Sequence, residues 1–409
     1  MSQQSSALRA LSNRNFFVFF VGVSIATSGQ FMQSLAVPFY MNELTDSNAW
    51  VGAAAFAVLV PALMMTPVAG IWCDRISRKA ILFGALCVQL VATSTFLLLF
   101  TLDLLNPWLI LCIQMVVGLG GGFQWAPTQS IPALLVPPED LLGAVRCVSL
   151  SFTAGRAVGP LLAGMILYFL GPGPAFAITI LGLGVGLAIM SPMRLREAEP
   201  NRAEPFWSQF RQGVVYITER PQMRLVVSVS FLVAALGAVF AFALVASVAD
   251  DVYSLGDGGL AWLTAAFGFG SLLIGLYVTS YGDRHARSRI ETVALAVYTL
   301  GVLLIGFTPW LLVGLLGYFI LGAGQMAHGV TVSSALQVQV QEQYRGRVMS
   351  VWLMSVLSGL PLGSIVAGFL GDLISMRFVL LLFGGILAAY WLVAVFRTKG
   401  FAGLDMEVD

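Results

Sequence analysis

WVGAAAFAVLVPALMMTPVAGIWC (50–73), DRISRK (74–79) and AILFGALCVQLVATSTFLLLFTL (80–102) follow one another without a break. The first and third stretches contain no Asp, Glu, Lys or Arg, whereas Asp74, Arg75, Arg78 and Lys79 crowd into the short stretch between them. An α-helix rises about 1.5 Å per residue and the hydrocarbon core of a bilayer is about 30 Å thick, so about 20 apolar residues cross it. Lipid offers the backbone no hydrogen-bond partners, and a helix satisfies them internally. The whole stretch therefore reads as two membrane helices joined by a tight, charged turn.

The same pattern continues in both directions. Of the 409 residues, 58% are hydrophobic and only 10% are charged; mean hydropathy is +0.89. So few charges cannot cover a soluble protein of this length. A net charge of +1 gives no footprint for nucleic acid. Apolar stretches between polar breaks predict an all-α polytopic membrane protein with twelve transmembrane helices. They run over 15–41, 50–73, 79–102, 107–135, 142–170, 173–193, 223–249, 258–281, 289–307, 309–336, 346–371 and 376–397. Pro61, Pro67, Pro127, Pro160 and Pro361 fall inside spans, where neighbouring helices can satisfy freed backbone groups. The first apolar stretch is too long for a signal peptide and is followed by no small-residue cleavage site, so it reads as a retained helix. Cys73, Cys87, Cys112 and Cys147 have no metal-ligand spacing and read as free thiols behaving as small hydrophobes.

Charge orients the spans. With the N-terminus inside, every Lys and Arg except Arg156 and Arg377 falls in or beside an inner segment. The outer loops collect Glu43, Asp46, Asp103, Asp250, Asp251, Asp257 and Asp372. This positive-inside bias predicts an even number of spans with both termini cytoplasmic.

The only long polar stretch, 194–222, lies in the middle and ends in an amphipathic segment around Phe206 to Thr218, expected at the membrane surface. It divides the chain into 1–193, a six-helix half; 194–222, a linker; 223–397, a second six-helix half; and 398–409, a tail. The halves resemble each other. Gly118-x-Gly120 recurs 204 residues later as Gly322-x-Gly324, and Gly155, Gly159 and Gly164 recur at that offset as Gly359, Gly363 and Gly368. Asp74-Arg75 before the third span has a counterpart in Asp283-Arg284 before the ninth. Repeats of this kind place a substrate site near the midplane between pseudo-symmetric halves.

Gly70-Ile71-Trp72-Cys73-Asp74-Arg75-Ile76-Ser77-Arg78-Lys79 resembles the loop signature of the major facilitator superfamily, with Ser77 in place of a second glycine. The resemblance implies the major facilitator fold and a conformational latch built from Gly70, Asp74, Arg75, Arg78 and Lys79, joined by Arg345 and Arg347. In that latch the Asp74 carboxylate would sit near the positive N-terminal end of the eleventh helix. The basic residues would pair with carboxylates or carbonyls across the half interface. An ordinary basic inner loop is the plainer alternative.

Gly155-Arg156-Ala157-Val158-Gly159-Pro160-Leu161-Leu162-Ala163-Gly164 resembles the glycine-proline motif of the superfamily's antiporters, with Ala163 replacing the first glycine of the terminal pair. It implies that Gly155, Gly159, Pro160 and Gly164 form a bent, closely packed helix that limits leakage; simple helix packing is the alternative. Asn13-Arg14-Asn15-Phe16, Leu35-Ala36-Val37-Pro38, Pro137-Pro138-Glu139-Asp140 and Tyr344-Arg345-Gly346-Arg347-Val348-Met349-Ser350 resemble one bacterial branch. That branch includes exporters related to enterobactin efflux and some macrolide efflux proteins. The chain departs from it at Gln30 and Val145, where aspartate and asparagine are common, and Gln114 stands where the superfamily's drug–proton antiporters commonly carry arginine.

Polar groups deep in a span are costly and mark function by default. Gln30 and Gln33 in the first span, Gln124 and Trp125 in the fourth, Arg156 in the fifth, and Gln325 and His328 in the tenth are the candidate substrate contacts. Gln124 and His328 correspond at the repeat offset and are expected to face each other across a central cavity. Arg156 suits an anionic substrate group or, equally, backbone carbonyls. His328 suits proton relay, because an imidazole changes charge near neutral pH, or a packing role. The glutamines serve either cavity or interhelical bonding.

The resemblance implies secondary active export of a small organic solute, siderophore-like, drug-like or amphipathic, by alternating access in a bacterial inner membrane. Protons are the expected coupling ion, and one chain suffices as a monomer. A facilitator, an importer or a lipid transporter stays open, because Asp74, Asp250, Asp251, Asp283 and Glu291 all fall at span ends and no carboxylate falls near a midplane. No HExxH or GxxxxGK motif occurs, and His285 and His328 are the only histidines. Neither an enzyme, a metal site nor a cofactor is expected.

Overall fold

A computed structural model describes residues 8–73, 75–195, 206–281, 286–397 and 401–405. Helices and turns account for these residues, with no strand among them. Twelve long helices follow in chain order: α1 Arg14–Thr45, α2 Asn48–Cys73, α3 Arg78–Thr101, α4 Pro107–Ser130, α5 Leu141–Leu170, α6 Pro172–Met190, α7 Pro221–Phe242, α8 Gly256–Tyr281, α9 Arg287–Phe307, α10 Leu311–Gln339, α11 Glu342–Leu373 and α12 Met376–Arg397. Each overlies one expected span. Among the described residues, eleven helices are long and apolar enough to cross a membrane. The remaining one, α5, is 30 residues long; several of its side chains, Arg156 and Pro160 among them, lie outside the described part. The amphipathic segment forms its own helix, Phe206–Thr218.

Two spans depart from continuous helix. The fourth was expected to run over 107–135, but α4 stops at Ser130 and a short helix, Pro132–Leu135, starts afresh. Proline has no N–H to donate back along α4. The seventh, expected over 223–249, contains a π-helical turn at Ala234–Ala238, leaves the helix after Phe242 and resumes as Val245–Asp251. A π-turn widens the helix and leaves backbone groups seeking partners; Tyr298 Oη of α9 donates to the Val233 carbonyl beside it at 2.7 Å.

The chain forms two compact units. One comprises Met1–Tyr40 with Ala57–Phe206, the other Met41–Phe56 with Trp207–Asp409. Each has a glycine-bearing helix against which two others pack. In the first unit, Gly118 of α4 lies against the Val58 carbonyl of α2; a Cβ on Gly120 would come 2.6 Å from Gln89 Cγ of α3. In the second, Gly322 of α10 lies against the Phe267 carbonyl of α8, and a Cβ on Gly324 would come 2.6 Å from the Tyr298 nitrogen of α9. Gly159 of α5 meets Phe31 of α1, and its counterpart Gly363 of α11 meets the Ala235 carbonyl of α7. At these positions the glycine recurrence in the sequence is a recurrence of close helix–helix approaches.

The turn between α1 and α2 groups with the second unit, where three aspartates hold it. Asn42 Nδ2 donates to Asp250 at 2.6 Å and Asn48 Nδ2 to Asp251 at 2.7 Å. Asp372, at the end of α11, accepts from the backbone nitrogens of Asn48 (2.6 Å) and Ala49 (3.1 Å) and from Ser47 Oγ. Asn48 and Ala49 open α2, so this carboxylate caps a helix whose own first N–H groups have no intrahelical partner.

Candidate functional site

The first unit builds its polar centre from glutamines. Gln30 Nε2 of α1 donates to Gln124 Oε1 of α4 at 2.7 Å and to Gln89 Oε1 of α3 at 2.8 Å. Gln89 Nε2 donates to Gln124 Oε1 at 2.8 Å, and Gln124 Nε2 returns to Gln30 Oε1 at 3.3 Å. Three helices are pinned by neutral amides that carry both donors and acceptors. Bonds of this kind contribute roughly 0.6 kcal/mol each in a membrane protein, so the cluster specifies register more than it stabilises. One turn away, Thr93 Oγ1 donates to Gln33 Oε1 at 2.9 Å. The structure therefore brings Gln30 and Gln124 together and adds Gln89, which the sequence reading missed. Its signal was available: Gln89 is a lone amide in the apolar stretch 80–92.

The second unit uses different chemistry at the equivalent place. His328 of α10 stands where the repeat offset puts Gln124, and it too bonds to two neighbouring helices. Its Nδ1 lies 2.6 Å from Glu291 Oε1 of α9, and its Nε2 lies 3.1 Å from Ser230 Oγ of α7. Trp352 Nε1 of α11 donates to the same hydroxyl at 3.0 Å. Glu291 is completely buried and the His328 side chain is only 5% exposed. Placing Glu291 with the span-end carboxylates was therefore wrong in its physical consequence. It sits one turn inside α9 and is sequestered against the imidazole of His328 on α10. Gln124 and His328 are each hydrogen-bonded inside their own unit.

Of the other candidates, Trp125 is half-buried and Gln325 half-buried. Gln33 Nε2 and Gln325 Oε1 are buried atoms without a hydrogen-bond partner among the described residues. A buried amide donor or acceptor left unpaired costs free energy until something fills it. The Arg156 side chain lies outside the described residues, as does Asp74. Among the basic latch candidates, Lys79 donates to the Ser191 and Met193 carbonyls at 2.7 Å each, just past the end of α6, where a cation complements the helix dipole. Arg78 reaches the Ser130 carbonyl at 3.4 Å, and Arg75 is exposed. These bonds fall within the first unit. Arg347 bonds Gln212 of the amphipathic helix and lies 5.6 Å from the Tyr344 ring centre, while Arg345 is exposed. Gly70 is half-buried with open space around it, and Gly155, Gly159 and Gly164 are buried.

This architecture and these motifs have known counterparts. The profile of a family described as transmembrane secretion effector matches residues 5–407. An MFS-type transporter of Sinorhizobium fredii, y4rN, is 26% identical over 84% of the chain and 85% of its own length. Macrolide efflux protein A of Streptococcus pyogenes is 20% identical over 90% of the chain and 92% of its own length. Among solved structures, the nucleoside transporter NupG, as its D323A mutant, superposes with a TM-score of 0.79 at 12% identity, covering 96% of the chain and 100% of that structure. At that identity the likeness is one of fold.

Proposed function

Because this chain belongs to the transmembrane secretion effector family of major facilitator transporters, we propose that it exports a small, drug-like or amphipathic organic solute by alternating access, in exchange for protons. It works as a monomer in a bacterial inner membrane, with both termini cytoplasmic. What carries the direction of transport is the likeness to a macrolide efflux protein along nine-tenths of the chain. A siderophore-like solute is a second substrate class, resting on the branch resemblance.

The chemistry of the candidate residues fits such a solute. Gln33 supplies an unfilled amide donor and Gln325 an unfilled acceptor. Neutral amides with aromatic neighbours such as Trp125 suit a large molecule of mixed polarity, because they fix orientation without demanding one charge. Gln30, Gln124, Arg156 and His328 complete the proposed substrate-contacting set. Asp74, with Gly70, Arg75, Arg78, Lys79, Arg345 and Arg347, is the proposed latch, and Gly155, Gly159, Pro160 and Gly164 are the proposed seal. The facilitator alternative draws on the want of a carboxylate near a midplane; the buried Glu291 beside His328 supports the proton-coupled reading instead.

Uptake of a radiolabelled macrolide into inverted vesicles carrying the protein tests the reading. Saturable uptake that requires an inside-acid gradient and collapses with a protonophore is the expected result. Saturable uptake indifferent to the gradient would leave a facilitator, and no uptake above empty vesicles would remove macrolides from the substrate class.

A further inference from the structure

We propose that Glu291 and His328 bind the coupling proton, and that Ser230 transmits their protonation state to α7 at its π-turn. This rests on the proton-exchange reading above and assigns it to particular atoms.

Among the described residues, each unit contains a polar junction built on repeat-equivalent positions of α4 and α10. In the first every member is a neutral amide, and no proton can be gained or lost there. In the second the members are a carboxylate and an imidazole, held 2.6 Å apart in a buried setting. Interhelical bonding alone is achieved in the first unit without ionisable groups. A buried ionisable pair inside a membrane helix bundle is more costly to keep, and its presence where the equivalent junction uses amides points to a use for its charge.

The proton inventory follows from the contacts. With one proton on the pair, Nδ1–H donates to the Glu291 carboxylate, and the pair carries one net negative charge in a buried site. Nε2 then has a lone pair, so the Ser230 hydroxyl must donate to it. With a second proton, on Nε2, the net charge is zero; Nε2–H donates to Ser230 Oγ, which also accepts from Trp352. The Ser230 hydrogen is then free to donate to the Val226 carbonyl, 3.0 Å away in the same helix. One proton taken up thus neutralises the pair and turns one hydroxyl from another helix back onto α7. Ser230 lies four residues before the π-helical turn Ala234–Ala238, a geometry that recurs at functional sites in helices.

Glu291 Oε2 adds an independent observation. It is buried with no partner among the described residues. A buried carboxylate oxygen without a partner is unfavourable, and it marks Glu291 as a group whose surroundings leave its hydrogen bonding incomplete. Elsewhere on the packed elements, Arg287 and Arg289 on α9, Arg224 on α7, Arg345 and Arg347 on α11, and Asp405 beside Ser288 all sit near chain segments at helix ends. The stretch 258–281 of α8 holds no charged residue.

Proteoliposomes loaded with a macrolide probe separate the possibilities. A one-for-one exchange driven by one pH unit, worth about 1.4 kcal/mol, sustains about tenfold accumulation. The wild type should reach this, while Glu291→Gln should fall to about onefold yet retain macrolide–macrolide counterflow within about twofold of wild type, and His328→Gln should likewise lose gradient-driven accumulation. The double variant Glu291→Gln with His328→Gln restores an amide junction like that of the first unit, and so separates loss of coupling from loss of folding. Wild-type accumulation driven by the gradient and undiminished in the folded double variant would overturn the assignment. A wild type indifferent to the gradient would overturn the proton reading itself, a separate and earlier failure.

Discussion

Replacing Asp372 with alanine should loosen the first turn of α2 specifically. Asp372 accepts from two backbone N–H groups, those of Asn48 and Ala49, and from the Ser47 hydroxyl. Hydrogen bonds to an ionised acceptor contribute about 1.5–3 kcal/mol each where desolvated, and a carboxylate at a helix N-terminus about 0.3–1 kcal/mol at an exposed site. Asp372 is exposed while Asn48 is buried, which argues for the lower end: a net loss of about 1–2 kcal/mol after water replaces the carboxylate. Local opening at Asn48 and Ala49 should then become roughly 5- to 30-fold more frequent, because each 1.4 kcal/mol is a factor of ten. Hydrogen exchange in detergent reads this directly, as a fall in amide protection confined to the start of α2. Asp372→Asn, which keeps an acceptor but removes the charge, should show an intermediate loss. Unchanged protection at Asn48 and Ala49 in the alanine variant, with peptides of α8 as internal reference, would refute the capping account.

Gly118→Ala and Gly322→Ala should each lower the melting midpoint through about 1–3 kcal/mol of overpacking against a backbone carbonyl that cannot move aside; Gly121→Ala, with nothing within 4 Å of its Cβ position, should not, and equal effects would sink the close-approach explanation. Desolvation pushes Asp251 above the ordinary carboxylate value, its bond from Asn48 pulls it down, and repulsion from Asp46 and Asp372 raises it further, for a net rise. A carboxyl raised in the folded state holds its proton where the unfolded chain has lost it, so its contribution to stability falls as pH rises through the window just above the usual carboxylate range. Thermal midpoints of wild type and Asp251→Asn should therefore converge as pH drops through that window, and parallel pH profiles would contradict the assignment. Asp74→Asn should slow macrolide transport without abolishing binding, and an unchanged transport rate would count against the latch role.

How far the site was legible depends on distance along the chain. Gln30, Gln124 and His328 stood out because an amide or imidazole inside an apolar stretch has no local explanation. Gln89 gave the same signal and went unused. Glu291 gave a misleading one: two residues into its expected span it looks like a helix-end carboxylate facing water. Its burial against His328 of α10 is set by which helix packs beside it, and no local pattern records that. Ser230 and Trp352 are ordinary residues in spans, and only their meeting at His328 makes them notable.

What the amino-acid order settled alone was what transfer into lipid governs: the long apolar helices, their ends to within a few residues except in α4 and α7, and the glycines that recur at several close helix approaches. Those follow from hydrophobic length and from steric room, properties a single stretch of chain carries by itself. The π-turn in α7, the break after Ser130, the capping of α2 by Asp372 and the Glu291–His328 pair were decided in three dimensions. Each depends on which helix lies beside which and at what height, and hydrogen bonds made at about 3 Å are formed or lost on shifts far smaller than one helical turn.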